Sequence, residues 1–135
     1  MGLANNVAFT GTFDGNGYKI FNFTVNSTKS DTNYGFFRIL DGAKITNLTC
    51  EYTASLSKVT AANDICFGAV AGAVRGEKST ITGCNFKVTV KDYNNNEKFH
   101  GGEYVGGKLE GNAYKGAAGD LIEVTASTAS VKYPA

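Results

Sequence analysis

The sequence predicts an all-β chain that folds as a solenoid, in which a repeated unit of short strands stacks along one axis. The composition favours strands over helices, with 17 Gly, a single Pro and few of the Leu and Glu residues that helical bundles use. Short alternating segments are separated by Gly and Asn, and no segment shows helical periodicity beyond a turn or two. A six-residue unit also recurs at spacings of 25 and 36 residues, which is typical of solenoid repeats.

Length and charge limit the class of protein. The 135 residues fit one domain covering 1–135, and 42% of them are hydrophobic, which is enough for a buried core. A formal net charge of +1 provides no argument for nucleic acid or an anionic membrane as a partner. No stretch approaches the roughly 18 apolar residues of a membrane span. We therefore expect a folded module with no nucleic-acid partner and no membrane insertion.

The repeated unit reads Ile, any residue, Asn or Gly, apolar, polar, apolar. It occurs at residues 20–25 (IFNFTV), 45–50 (ITNLTC) and 81–86 (ITGCNF). In stacked copies, equivalent positions point the same way, so each apolar position predicts one buried column. The predicted columns are Ile20, Ile45 and Ile81; Phe23, Leu48 and Cys84; and Val25, Cys50 and Phe86.

The third place of the unit predicts a corner. Apolar residues at the first, fourth and sixth places break the alternation of a plain strand, so one residue must form a bend. Asn and Gly adopt left-handed backbone conformation at low cost, which suits them to this position. The unit is then strand, corner, strand, and we expect the amides of Asn22 and Asn47 to hydrogen-bond to each other in a column.

The remaining segments complete the predicted architecture. Residues 14–17 (DGNG) predict a tight turn, and residues 86–91 alternate cleanly, which predicts a strand with one wet face. A polar loop is predicted near 92–102, and an edge strand or tail near 124–135. Division of the chain length by a repeat of roughly 20–30 residues predicts about five coils.

Candidate binding residues are of two types. Arg38 and Arg75 are the only arginines and end similar segments, GFFR and GAVR. We expect them either to stack on a solvent face or to line a groove for an acidic glycan. Exposed tyrosine rings can bind sugar rings by stacking. We therefore expect a partner surface to include Tyr52, Tyr93 and Tyr104. These five residues form the predicted glycan or partner surface.

No residue set predicts catalysis, a metal or a cofactor. Glycan-processing enzymes need paired carboxylates at a set separation, whereas the acidic residues of this chain are spread singly. Cys50, Cys66 and Cys84 lack the spacing of a zinc site, and His100 is the only histidine. The cysteines are interpreted as buried small hydrophobes, with one disulfide plus a free thiol as the alternative.

Four segments resemble the GLUG-repeat proteins of bacteria. They are residues 9–20 (FTGTFDGNGYKI) followed by 22–25 (NFTV), residues 34–37 (YGFF) followed by 45–48 (ITNL), residues 67–72 (FGAVAG) and residues 104–107 (YVGG), so the resemblance covers roughly residues 7–111. It implies a right-handed parallel β-helix, and a secreted or surface-exposed bacterial protein that is often adhesin-like. It implies no catalytic residue, because the repeat itself contains none.

The resulting expectation is a non-catalytic structural or binding module, adhesin-like, outside the cell or on the bacterial surface. Its expected partners are carbohydrate or a host surface protein, and its ends are expected to be capped by a further copy or by further domains. Two alternatives stay open: a phage or other assembly component, and a glycan-processing enzyme on a β-helix. No cofactor is expected for the module.

Overall fold

The computed structural model of the chain describes residues 7–59 and 62–134. Within these residues there are fifteen strands, one short 3-10 helix and no α-helix, so the all-β prediction is confirmed. The 3-10 helix covers Gly119–Leu121. The strands are β1 (Thr12–Asp14), β2 (Lys19–Asn26), β3 (Asn33–Tyr34), β4 (Phe37–Leu40), β5 (Lys44–Thr46), β6 (Thr49–Leu56), β7 (Ile65–Phe67), β8 (Ala71–Val74), β9 (Ser79–Thr82), β10 (Asn85–Tyr93), β11 (Phe99–Gly101), β12 (Val105–Glu110), β13 (Ala113–Tyr114), β14 (Ile122–Thr125) and β15 (Thr128–Lys132).

The strands form four sheets, which we number by the order in which the chain enters them. Sheet 1 has the order β1-β5-β9-β14, sheet 2 β15-β10-β6-β2, sheet 3 β11-β7-β3 and sheet 4 β13-β12-β8-β4. Every strand pair is parallel except β12 with β13. The chain passes through sheets 1, 2, 3 and 4 in turn and then returns to sheet 1.

The number of coils was predicted too high. Each sheet of the described residues has three or four strands, whereas five coils would give five. The ladder of sheet 1 joins Thr12 to Lys44, Lys44 to Thr80 and Thr80 to Glu123, so successive strands of one sheet are 32 to 43 residues apart. The assumed repeat of roughly 20–30 residues was too short, because it did not include the residues of sheets 3 and 4.

The core lies between the sheets and is filled from alternate positions of their strands. In β10, Phe86, Val88 and Val90 are buried, and the residues between them are exposed, which confirms the predicted wet face of this segment. Ile45 and Ile81 are fully buried and lie opposite each other in sheet 1, as the repeat predicted.

Left-handed residues form the corner between sheets 1 and 2. Asn47 and Gly83 have φ values of +52° and +66°, which confirms the predicted one-residue corner in two copies of the unit. Ala126 occupies the equivalent position of the next pass with φ +51°, although its side chain makes this conformation costly. The amide nitrogen of Gly83 donates to the carbonyl of Thr125, and that of Asn47 to the carbonyl of Thr82, so the corners are stacked.

The first copy of the unit was aligned wrongly. Ile20 lies opposite Cys50 in sheet 2, and it is Phe13 that lies opposite Ile45 in sheet 1. The first corner is formed by the predicted DGNG turn, where Asn16 has φ +52°, and not by residue 22.

The predicted amide column is therefore also wrong. Asn47 Nδ2 donates to Asp14 Oδ1 at 3.4 Å, and Asn22 lies within β2 of sheet 2. Asn22 does have the left-handed backbone that its residue type predicted, with φ +68°. Its place is a bulge in a strand instead of a corner between sheets.

Glycines allow sheets 3 and 4 to meet closely. Tyr34 lies opposite Phe67, so Gly35 and Gly68 follow them at equivalent positions of the ladder. A Cβ atom on Gly68 would be 2.5 Å from the carbonyl oxygen of Tyr104, a backbone contact that cannot be relieved by a side-chain rotation. The Gly residues after Tyr34 and Phe67 are thus required by close backbone approach.

All three cysteines are buried free thiols, which supports their interpretation as small hydrophobes. Burial raises the pKa of Cys50 and of Cys66 to about 12 and also raises the pKa of Cys84. At neutral pH the three side chains are therefore uncharged thiols and poor nucleophiles.

Candidate functional site

The predicted tyrosines do not form an exposed row. Tyr52 is only 3% exposed, and its hydroxyl donates to the carbonyl of Ala69 at 2.6 Å. Tyr104 is partly buried and donates to the carbonyl of Ser127 at 3.0 Å. Tyr93 packs its ring 4.9 Å from the ring of Phe99. These side chains stabilise the fold, because each one is fixed by packing or by a backbone acceptor.

The predicted arginines do not form a common groove. Leu40 lies opposite Val74, so Arg38 and Arg75 occupy different positions of the ladder of sheet 4. Arg38 pairs with Asp31 at 2.9 Å.

Each arginine therefore has its own surroundings. Arg75 donates to the carbonyl of Gly111 at 3.0 Å and to Oδ1 of Asn112 at 2.9 Å. Arg38 lines a small cleft of about 290 Å³ beside Tyr34, where Asp31 neutralises its charge.

A bulge in β2 creates a different surface. In the parallel ladder with β6, Phe21 lies opposite Glu51 and Thr24 opposite Thr53, so Asn22 and the residue after it share one partner position. The left-handed Asn22 takes up the extra residue. As a result, the Phe21 side chain remains on the outer face of sheet 2 and is 61% exposed.

A second bulge lies on the same face in β10. The register with β6 shifts between Val90 and Asp92, which leaves Lys91 as the extra residue. Asp92 fixes this bulge, because its carboxylate accepts hydrogen bonds from the Ser55 hydroxyl at 2.9 Å and the Leu56 amide at 3.0 Å.

A row of three threonines crosses the sheet between the two bulges. Thr53 lies opposite Thr24 on one side and opposite Thr89 on the other. The hydroxyls of Thr24 and Thr53 are 2.9 Å apart and share a hydrogen bond. The row therefore presents hydroxyl groups at the spacing of the strands, about 4.8 Å.

The bulges and the threonine row enclose a cleft of about 530 Å³, which we call the bulge cleft. The rings of Phe23 and Tyr52 are stacked 4.9 Å apart, and both residues belong to its lining, so Tyr52 is the one predicted site residue that lines it. The cleft is lined by Lys19, Phe21, Asn22, Phe23, Thr24, Glu51, Tyr52, Thr53, Thr89 and Lys91.

Charge in the bulge cleft is partly paired. Lys19 Nζ is 3.5 Å from Glu51 Oε2, and both side chains are about half exposed, so this ion pair is worth little in water. The same ammonium is 5.4 Å from the centroid of the Phe21 ring, a cation–π distance. Lys91 adds a positive charge at the far side of the cleft.

The chemistry of the bulge cleft suits binding. An exposed ring, a row of hydroxyls and ammonium groups can stack on and hydrogen-bond to a polar ring-shaped ligand. Glu51 is the single carboxylate of the lining, and it is paired with Lys19. Within residues 7–59 and 62–134, no three His, Cys, Asp or Glu side chains are close enough to hold a metal ion.

Comparison of the chain with protein-family models, with curated proteins and with solved structures finds no match. None of the helices in the described part of the chain has the length and apolar character needed to cross a membrane.

Proposed function

We propose that the chain is a non-catalytic binding module with the fold of a right-handed parallel β-helix. The support is the chain path, which enters four sheets in a fixed order, and the parallel ladders that join each pass to the next. A solenoid is built from stacked passes of this kind, so this chain path supports the proposal. On the basis of the resemblance to GLUG-repeat proteins, we also propose an adhesin-like role at the bacterial surface or outside the cell.

The ligand that we propose for the bulge cleft is carbohydrate. The observation that carries this proposal is the exposed ring of Phe21 beside the threonine row. Phe21 is 61% exposed beside hydroxyl and ammonium groups, and an aromatic ring in this setting can stack on a ligand that also forms hydrogen bonds. A sugar ring presents an apolar face for stacking and hydroxyls around its edge for Thr24, Thr53 and Thr89.

The cleft gives less support to the enzyme alternative. Hydrolysis of a glycosidic bond generally uses two carboxyl groups that flank the bond, about 5–10 Å apart. The lining of the bulge cleft provides Glu51 alone, and Lys19 lies against it. Binding requires only the groups that the cleft contains, so we place carbohydrate recognition first.

A glycan microarray tests the proposed function. The full chain is compared with Phe21→Ala, which removes the ring from the cleft, and with Tyr18→Ala as a matched control. Tyr18 is 72% exposed and does not line the cleft, so each variant removes one exposed ring. Far-UV circular dichroism verifies that both variants are folded.

We expect the full chain and Tyr18→Ala to bind the same glycans, and Phe21→Ala to bind them about tenfold more weakly. A stacked ring contributes about 0.5–1.5 kcal/mol beyond the area that it buries, and about 1.4 kcal/mol corresponds to tenfold. Absence of binding to every glycan, or an equal loss in both variants, would contradict the proposal.

A further inference from the structure

The outer face of sheet 2 carries more positive charge than the chain as a whole. Lys19, Lys87, Lys91 and Lys132 are exposed on its strands, although the formal net charge of the protein is only +1. The four ion pairs of the described residues do not involve Lys87, Lys91 or Lys132. Lys91 and Lys132 therefore form no ion pair within the described residues, and Lys87 lies opposite Glu51 in the ladder without an ion pair to it.

The carboxylates of the same face are already engaged. Glu51 pairs with Lys19 at 3.5 Å. Asp92 accepts hydrogen bonds from the Ser55 hydroxyl and from two backbone amides, those of Leu56 and Ser57. The face consequently has four lysines against two carboxylates, of which Asp92 is held by the bulge and Glu51 stays half exposed beside Lys19.

The register places Lys87 and Lys132 on the side of the bulge cleft nearer to β15, whereas Lys91 lines the cleft itself. Lys87 lies opposite Ser130, and Thr89 lies opposite Lys132. The threonine row therefore continues from Thr24 to Lys132 across all four strands. Three spacings of about 4.8 Å make this path about 14 Å long, which exceeds a single sugar ring.

We propose that this face binds a linear glycan with carboxylate groups, lying across the strands of sheet 2. The inference rests on the proposed carbohydrate binding at the bulge cleft and adds the ligand's charge and direction. One sugar ring stacks on Phe21, the following hydroxyls meet the threonine row, and carboxylates reach Lys87 and Lys132. Charge complementarity with three unpaired ammonium groups selects the acidic polymer over a neutral one.

A polyuronate fits this face better than a nucleic acid does. Nucleic-acid and phosphate sites favour arginine, whose planar group binds phosphate in two places, whereas this face has lysines alone. Its positive charges are separated by neutral hydroxyl side chains at Thr53, Thr89 and Ser130. A chain of carboxylated sugars has this same alternation of charge and hydroxyl groups.

Isothermal titration of the full chain tests the inference. The probes are an oligogalacturonate, a neutral malto-oligosaccharide of the same length and a single-stranded DNA with the same number of charges, each at low and high salt. The test variant is Lys87→Gln with Lys132→Gln. The control variant, Lys44→Gln with Lys115→Gln, removes the same charge from exposed positions outside sheet 2.

We expect the oligogalacturonate to bind more tightly, and high salt to reduce the difference, because exposed charges are screened. Each lysine should contribute about two- to fivefold, so the test variant should lose about 4- to 25-fold and the control variant little. Equal binding of the neutral oligosaccharide, or an equal loss in both variants, overturns the acidic ligand but leaves the proposed function standing. If neither oligosaccharide binds and the glycan microarray also shows no binding, the proposed function itself is refuted. Tighter binding of single-stranded DNA also overturns the inference.

Discussion

Truncation of Ile45 tests the corrected register of the core. Ile45 is fully buried and lies in the ladder of sheet 1 between Phe13 and Ile81. Replacement of a buried Ile by Ala costs about 2–5 kcal/mol, and the cost is largest where the surroundings cannot collapse into the cavity. The neighbours of Ile45 are held by backbone hydrogen bonds in β1 and β9, so we expect Ile45→Ala to cost about 4 kcal/mol.

The matched comparison is Ile20→Ala. The repeat in the sequence gave Ile20 the same role as Ile45, whereas the structure places it half-buried on the edge strand β2, opposite Cys50. Because a half-buried side chain loses less on truncation, we expect a cost of about 1–2 kcal/mol. Thr82→Ala, at an exposed position of β9, should change stability by no more than about 0.5 kcal/mol.

Urea unfolding followed by far-UV circular dichroism measures these differences. The midpoint shift at an unchanged slope gives the change in the free energy of unfolding. Equal costs for Ile45→Ala and Ile20→Ala would restore the sequence-based alignment and refute the register described here. A cost below about 1 kcal/mol for Ile45→Ala would refute the stacked core.

Three further predictions concern the backbone and the bulges. Gly68→Ala should lower the free energy of unfolding in urea by about 1–3 kcal/mol, because the new Cβ would lie 2.5 Å from backbone atoms. Gly11→Ala is the control and should be nearly neutral, because its new Cβ would have its nearest contact at 3.4 Å. Ala126→Gly should raise the midpoint of thermal unfolding, because glycine adopts φ +51° without strain, and a lowered midpoint would contradict the stacked corner. Partial burial alone would raise the pKa of Asp92, but hydrogen bonds from Ser55 and nearby groups hold it below its ordinary value. The stabilisation from Asp92 should therefore be complete above about pH 4 and lost as the pH falls through the folded-state pKa, and Asp92→Asn should reduce stability at pH 7 and flatten this acid dependence.

The corners were predictable because left-handed backbone is encoded by single residues. Asn47 and Gly83 are residue types that tolerate positive φ, and each is flanked by apolar residues whose spacing reveals the bend. The alignment of Ile45 with Ile81 followed from the same local pattern. These features depend on a few residues that are neighbours in the chain, so they can be predicted from a single sequence.

The first pass was not predictable in the same way. Asn16 and Asn22 both suit a left-handed position, and both do adopt positive φ, at +52° and +68°. Hydrogen bonding to β5 and β6 decides that Asn16 forms the corner and Asn22 the bulge. The local sequence does not specify this pairing.

The candidate site was missed for this reason. The break of alternation at residues 20–25 was visible in the sequence, but it was interpreted as a corner, and so the exposure of Phe21 did not follow. Tyr52 was expected at the surface on the basis of residue type, whereas alternation within β6 places it inside. Residue type alone does not determine burial, because the face of a strand is fixed by register.

Chemical-shift mapping tests carbohydrate recognition at the bulge cleft most directly. The ¹⁵N-labelled full chain is titrated with the glycan that binds most strongly on the array, and the amide resonances are followed. We predict that the changes are largest at Phe21, Asn22, Thr53 and Thr89, and that Phe21→Ala needs about tenfold more glycan to reach the same changes at Asn22, Thr53 and Thr89. Changes centred on sheet 1 or sheet 4, with the resonances of the bulge cleft unmoved, would contradict the account.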